Sequence, residues 1–218
     1  MKELATLAII VGNALTFWVA TQNHWPLALL LWPFWLQSVV IGAYAFRRLM
    51  MLQRFSTEGV TYDDEPVVAD EASKRKLAVF FAVTYGVVHV FMFAALLFVT
   101  QVERFGGPPR GHDWLYIVGL GIAFWASHHS SHRLNVAADI RHEHNIGALM
   151  MLPYIRIVPM HVLFLSGLAM KEPGSTMLLF VGLKTVADVL MHGVEHHWLQ
   201  GSSLRLPLTF SFGTKGSD

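Results

Sequence analysis

Cysteine is absent from this chain of 218 residues, and charged side chains make up only 14% of it. Without cysteine the chain has no disulfide, no thiolate nucleophile and no thiolate metal ligand, so any metal must bind nitrogen or oxygen. Soluble domains carry about 25% charged residues, and the charge here is too sparse to cover a water-facing surface. The composition therefore excludes an ordinary soluble domain.

An excess of basic residues is also missing. Sixteen Lys and Arg residues face 15 Asp and Glu residues, which leaves a formal net charge of +1. Proteins that bind nucleic acid need a basic surface for the phosphates, so we expect no nucleic-acid partner. Because 54% of the residues are hydrophobic, the expected partner is the lipid bilayer.

Apolar residues are concentrated in six segments, each long enough for one helical crossing of a bilayer. Backbone groups in lipid must pair within their own segment, which favours helices. The sequence thus predicts an all-α fold, a bundle of six transmembrane helices that forms one domain over residues 1–218. The predicted helices cover residues 4–21, 26–46, 77–101, 114–131, 147–170 and 176–197, and a cytoplasmic loop covers 47–76.

The basic residues indicate the orientation of this bundle. They are concentrated in the segments on the side of the N-terminus, whereas the opposite side holds only Arg104, Arg110 and Lys171. Because cytoplasmic loops are enriched in Lys and Arg, we expect both termini in the cytoplasm and a multi-pass protein of the cytoplasmic (inner) membrane. A homo-oligomer or a larger membrane complex is compatible with this topology.

Polar side chains occur within every predicted helix, although an ionisable group in a membrane helix costs about 2.5 to 3.5 kcal/mol. A shared polar interior explains them most economically. In the last helix, four polar residues spaced four apart form one stripe, and Pro153 and Pro159 predict a break in the fifth helix around Arg156. The polar residues in question are Asn13, Gln37, His89, His128, Arg156, His161, Lys184, Asp188, His192 and His196.

Histidines cluster in three places that the predicted topology brings to the cytoplasmic face: residues 127–132, 142–144 and 192–197. Histidines four apart on a helix can share one metal ion. The predicted ligands of a zinc, iron or copper ion are His128, His132, His192, His196 and Asp188. In a metal-dependent redox or hydrolytic enzyme, Glu195 or Asp188 would accept a proton, and Arg156 and Lys184 would hold an anionic substrate.

Three alternatives remain open from the sequence. The histidines can be amphipathic residues at the water boundary. The polar residues can line the pathway of a proton or metal transporter or channel. In a haem-binding subunit, two of His89, His161 and His192 would be axial ligands.

Four segments resemble the signature blocks of an uncharacterised family of six-helix prokaryotic integral membrane proteins, known only as a domain of unknown function. These segments are Gln37–Met51, Phe80–Phe93, Pro153–His161 and Leu183–His192. The resemblance implies the six-helix membrane fold. It also implies that the family's signature polar positions are Arg156, His161, Lys184, Asp188, His192, His128 and His89.

Overall fold

Six α-helices make up most of the chain in the computed structural model, which describes residues 2–101, 107–167, 173–199 and 210–212. A helix overlaps each of the six predicted segments, so the prediction of a mainly helical protein is confirmed. The helices are α1 (Lys2–Gln22), α2 (Leu27–Met51), α3 (Glu71–Val99), α4 (Asp113–Arg141), α5 (Ile146–Gly167) and α6 (Pro173–Leu199).

The predicted loop 47–76 is shorter than expected and contains strands. It holds β1 (Phe55–Ser56), β2 (Val60–Tyr62) and β3 (Glu65–Pro66), while β4 (His144–Asn145) and β5 (Phe210–Phe212) follow later. β1 pairs with β4 in parallel, and β2 lies between antiparallel β3 and parallel β5. Asp63 and Asp64 both have positive φ, 49° and 65°, as the two-residue turn of a tight hairpin requires.

The start of α3 is tied to the end of α2. The Asp70 carboxylate caps α3 by accepting a hydrogen bond from the Ser73 backbone N–H at 2.7 Å, which satisfies one free donor of the first turn. Lys74 is buried, and its ammonium donates to the Leu52 carbonyl and to Glu71, each at 2.7 Å. These bonds explain why the loop ends before residue 71.

The helix α2 lies at the centre of the packing, because α3, α4 and α5 all pack against it, while α1 packs on α6 and α6 on α5. Its residues 29–32 are almost fully buried. At Gly42 an added Cβ would lie 2.2 Å from Cε1 of Tyr85, so the lack of a side chain there allows α3 to approach α2 closely.

Three helical segments in the described part of the chain are long and apolar enough to cross a membrane: Leu29–Met51, Glu71–Val99 and Thr176–Val194. Large apolar side chains also lie on the outer surface, among them Phe91 of α3, 72% exposed, and Leu115 of α4, 76% exposed. Exposed apolar area of this kind marks contact with lipid or with another protein, which indicates association with a membrane.

Candidate functional site: an ion pair between two clefts

A Lys–Asp ion pair lies on one face of α6. The Lys184 ammonium donates a hydrogen bond to Oδ2 of Asp188, one turn later on the helix. The two side chains are only 12% and 25% exposed, so each charge depends on the other for compensation. The ammonium also lies 4.7 Å from the centroid of the Phe34 ring on α2, a distance at which the ring face attracts a cation.

Asn13 of α1 connects to both members of this pair. Its Nδ2 donates to Oδ2 of Asp188 at 3.3 Å, and its Oδ1 accepts from the Lys184 ammonium at 3.4 Å. The amide N–H of Asn13 thus faces a carboxylate, which accepts its hydrogen bond, and the amide oxygen faces an ammonium, which donates to it. These three residues, called the polar triad below, hold α1 against α6.

The ion pair of the polar triad borders two clefts. The narrow cleft has a cavity volume of about 30 Å³ and is lined by Phe34, Gln37, Ser38, Ile41, Arg156, Ile157, Phe180, Lys184 and Asp188. The wide cleft has a cavity volume of about 310 Å³ and is lined by Gly12, Asn13, Thr16, Trp25, Leu30, Pro33, Phe34, Leu120, Phe124, Lys184 and Asp188. Phe34, Lys184 and Asp188 line both clefts, so the two spaces share the ion pair and one aromatic ring.

Arg156 of α5 lines the narrow cleft with the ion pair. Two cations and one carboxylate line this cleft, so its formal charge is positive, and Gln37 adds a polar amide. The sequence predicted a break in α5 around this arginine. α5 instead runs continuously from Ile146 to Gly167 through both prolines, so the expected break is absent from this helix.

His89 is buried between α2 and α3; it does not line either cleft itself, but its partner Ser38 lines the narrow one. Its Nδ1 faces the Tyr85 carbonyl at 2.9 Å, and its Nε2 bonds with the Ser38 hydroxyl at 2.8 Å. The indole N–H of Trp35 donates to the His89 carbonyl at 3.2 Å. Both ring nitrogens are engaged, so an axial bond to haem iron would require one of these partners to leave.

His161, the second candidate haem ligand, lies on an exposed part of α5. Its Nδ1 bonds with the Ile157 carbonyl at 3.0 Å. A nitrogen facing a carbonyl must carry the proton, because a carbonyl only accepts. In the described structure, neither cleft includes His161 among its lining residues.

The histidines of α4 surround Tyr44, a residue that sequence reasoning missed. The Tyr44 hydroxyl bonds with Nδ1 of His129 at 3.0 Å. The centroid of the Tyr44 ring lies 6.4 Å from that of His128 and 5.4 Å from that of His132. Tyr44 lies seven residues, or about two helical turns, after Gln37, so the two side chains fall on the same side of α2. This spacing is the sequence signal that could have identified Tyr44.

The predicted metal ligands are only partly described. His192 is half-buried on α6, on the stripe that carries the polar triad's two charges, whereas the side chains of Glu195 and His196 lie outside the described residues. Over residues 2–101, 107–167, 173–199 and 210–212, no three histidine or carboxylate side chains converge as metal ligands would. The metal site therefore remains a prediction.

Comparison with known proteins gives a family and no activity. No curated protein and no solved structure matches the chain. The model of a protein family matches residues 1–204, nearly the whole length, and that family is described as one of unknown function. The expectation of an uncharacterised family is thus confirmed, and the chain belongs to the family of unknown function DUF6498.

Proposed function

We propose that this chain is a multi-pass membrane protein that moves a proton or another small ion through its helical core, and that the polar triad is the site of passage. One observation carries the proposal: Lys184 and Asp188 line both clefts. A lysine and an aspartate that border two cavities can exchange a proton with water that enters them.

The cost of burying charge supports this function. Ionisable groups in membrane helices are expensive and typically mark ion or substrate pathways. Lys184 and Asp188 reduce that cost by pairing, yet a purely structural pair would be expected in a closed core. Here the pair adjoins empty space on two sides, and Arg156 brings a further cation to one of them.

The proposed topology is the one that the sequence predicts, with six crossings in the cytoplasmic membrane and both termini in the cytoplasm. The positions of the six helices and the apolar outer faces of α3 and α4 support it. The same faces are available to lipid, to a second copy of the chain or to a larger membrane complex.

Flux through reconstituted protein tests the function. Proteoliposomes that contain a pH-sensitive dye should show proton entry under an imposed potential, and Asp188→Asn should reduce the rate to that of protein-free vesicles. Asp113→Asn is the matched control, because Asp113 lies at the start of α4 and lines neither cleft. Equal rates for Asp188→Asn and the unmodified protein, with protons and with alkali-metal or halide ions, would refute the proposal.

A metal-dependent redox or hydrolytic enzyme is the second candidate, and the cluster around Tyr44 favours it. Imidazole nitrogen binds zinc, iron and copper, and the rings of His128, His129 and His132 lie with their centroids 5.4–6.4 Å from that of Tyr44. Metal analysis of protein purified without a histidine tag tests this candidate. At least half an equivalent of metal per chain, lost in His128→Ala with His132→Ala, would support it, and an equal metal content in that variant would exclude this site.

A further inference from the structure

The wide cleft combines apolar walls with one polar end. Its apolar walls include Leu30 and Pro33 of α2 and Leu120 and Phe124 of α4, whereas its polar lining consists of the polar triad and Thr16. The residues beside its rim on α1 are apolar and exposed, with Val11 54% and Leu15 55% exposed. In a membrane such a rim faces acyl chains, so the cleft is open to molecules dissolved in lipid.

The polar end has hydrogen-bonding capacity to spare. Both bonds to the Asp188 carboxylate reach Oδ2, and within the described part of the chain Oδ1 accepts none. The Asn13 amide has two N–H groups, and among the described residues one of them donates, to Asp188. A spare acceptor and a spare donor therefore lie side by side where the apolar walls end.

A hydroxyl group matches this arrangement, since its hydrogen can be donated to Oδ1 and its oxygen can accept from the amide. The charge of the cleft lining also favours an uncharged ligand. The charged residues that line the wide cleft are one lysine and one aspartate, which cancel, so a charged head group would lose its hydration without gaining a counter-charge.

We propose that the wide cleft is a binding site for an uncharged, hydroxyl-bearing lipid, with the hydroxyl at Asn13 and Asp188 and the chain along Leu120 and Phe124. The proposal goes beyond ion movement and does not require it, because the cleft, its apolar walls and its spare donor and acceptor exist whether or not the ion pair conducts. A bound lipid would close one of the two approaches to the ion pair.

Photolabelling tests the proposal with the full-length protein in nanodiscs of zwitterionic phospholipid. The probe is hexadecan-1-ol with a diazirine in its chain, and mass spectrometry locates the labelled residues. We expect labelling on the parts of α1 and α4 that line the cleft. Excess hexadecan-1-ol should compete, whereas 1-methoxyhexadecane, which lacks the hydrogen to donate, should compete about tenfold more weakly, as expected for the loss of one hydrogen bond to a charged group.

A second experiment tests whether the ligand binds in the wide cleft. Gly12 lines the wide cleft, and a Cβ added there would meet no atom within 4 Å, so Gly12→Phe should place its ring in space that the ligand would occupy. The matched control is Gly182→Phe on α6, which has equally open surroundings and does not line the cleft. We expect labelling of α1 and α4 to be lost in Gly12→Phe and kept in Gly182→Phe.

The outcomes separate this proposal from the proposed function. Equal competition by the alcohol, its methyl ether, hexadecanoate and hexadecyltrimethylammonium would refute head-group recognition, and that comparison needs only the unmodified protein. Labelling spread over all lipid-facing helices would refute the site. Either result leaves the flux measurement on Asp188→Asn unaffected, and loss of flux in that variant says nothing about the lipid.

Discussion

Removal of one charge from the ion pair should destabilise the protein more than removal of both. In Asp188→Leu the Lys184 ammonium loses its carboxylate, and among the described residues it keeps the Asn13 carbonyl at 3.4 Å and the Phe34 ring at 4.7 Å. In Lys184→Met the carboxylate keeps one hydrogen bond, from Asn13 at 3.3 Å. Each single variant therefore leaves one partly buried charge with weak compensation.

The magnitude follows from the burial of the two side chains. Breaking a fully buried pair costs about 3–5 kcal/mol, but these side chains are 12% and 25% exposed. In Asp188→Leu, contact with the Phe34 ring stabilises the unpaired ammonium by roughly 1 kcal/mol. We therefore expect each single variant to lose about 2 kcal/mol of unfolding free energy. The double variant, in which apolar side chains replace both charges, should remain within about 1 kcal/mol of the unmodified protein.

Unfolding by sodium dodecyl sulfate in mixed micelles, followed by circular dichroism, measures all four proteins. Each single variant should lose about 2 kcal/mol of unfolding free energy, and the double variant should lose less than about 1 kcal/mol. The coupling energy between the two residues should therefore be about 3 kcal/mol. Leu190→Met, on an exposed position of α6, controls for nonspecific effects. A double variant whose loss equals the sum of the single losses would refute the reasoning, because the two charges would then not depend on each other.

Two further predictions concern other parts of the fold. Gly42→Ala should lower the unfolding free energy by about 1–3 kcal/mol, because its Cβ would lie 2.2 Å from the stiff ring of Tyr85. The unfolding midpoint should fall accordingly. In the control Gly86→Ala, where an added Cβ would meet nothing within 4 Å, the midpoint should fall far less. The hydrogen bond from the Ser73 N–H holds the pKa of Asp70 below its ordinary value of 3.8, so this cap stabilises fully above about pH 4 and progressively less as the pH falls through the lowered pKa. Asp70→Ala should therefore reduce the thermal midpoint at pH 6, and the deficit should shrink below pH 3.8; a deficit independent of pH would contradict this account.

The helices were predictable because hydropathy marks apolar segments directly, but their ends were not. α4 was predicted to end at residue 131 and continues to Arg141. Its last turns contain Arg133, Asn135, Asp139 and Arg141, so a pattern that detects apolar residues stops before the helix does. The predicted loop after α2 was too long at both ends. At its end, α3 begins through hydrogen bonds of the polar residues Asp70 and Lys74, which a pattern of apolar residues does not detect.

The polar interior was predicted in part. Helical spacing correctly put Lys184 and Asp188 on one face, because residues four apart are neighbours on a helix. The shared polar interior expected from the sequence included Asn13, which does contact both residues. Helical spacing alone could not specify that contact, because it depends on the order in which the helices pack. In the described residues, the hydrogen bond between His89 and Ser38 connects His89 to the narrow cleft, and the histidines of α4 lie beside Tyr44.

The contact between α1 and α6 at the polar triad can be measured directly in membranes. Because the chain has no cysteine, the double variant Asn13→Cys with Asp188→Cys carries only two thiols, and a short bifunctional methanethiosulfonate reagent reports their proximity. The structure predicts an intramolecular cross-link in this variant and none in Asn13→Cys with Gly182→Cys. No cross-link in the first variant, or equal cross-linking in both, would contradict the central claim that these polar residues meet between the two clefts.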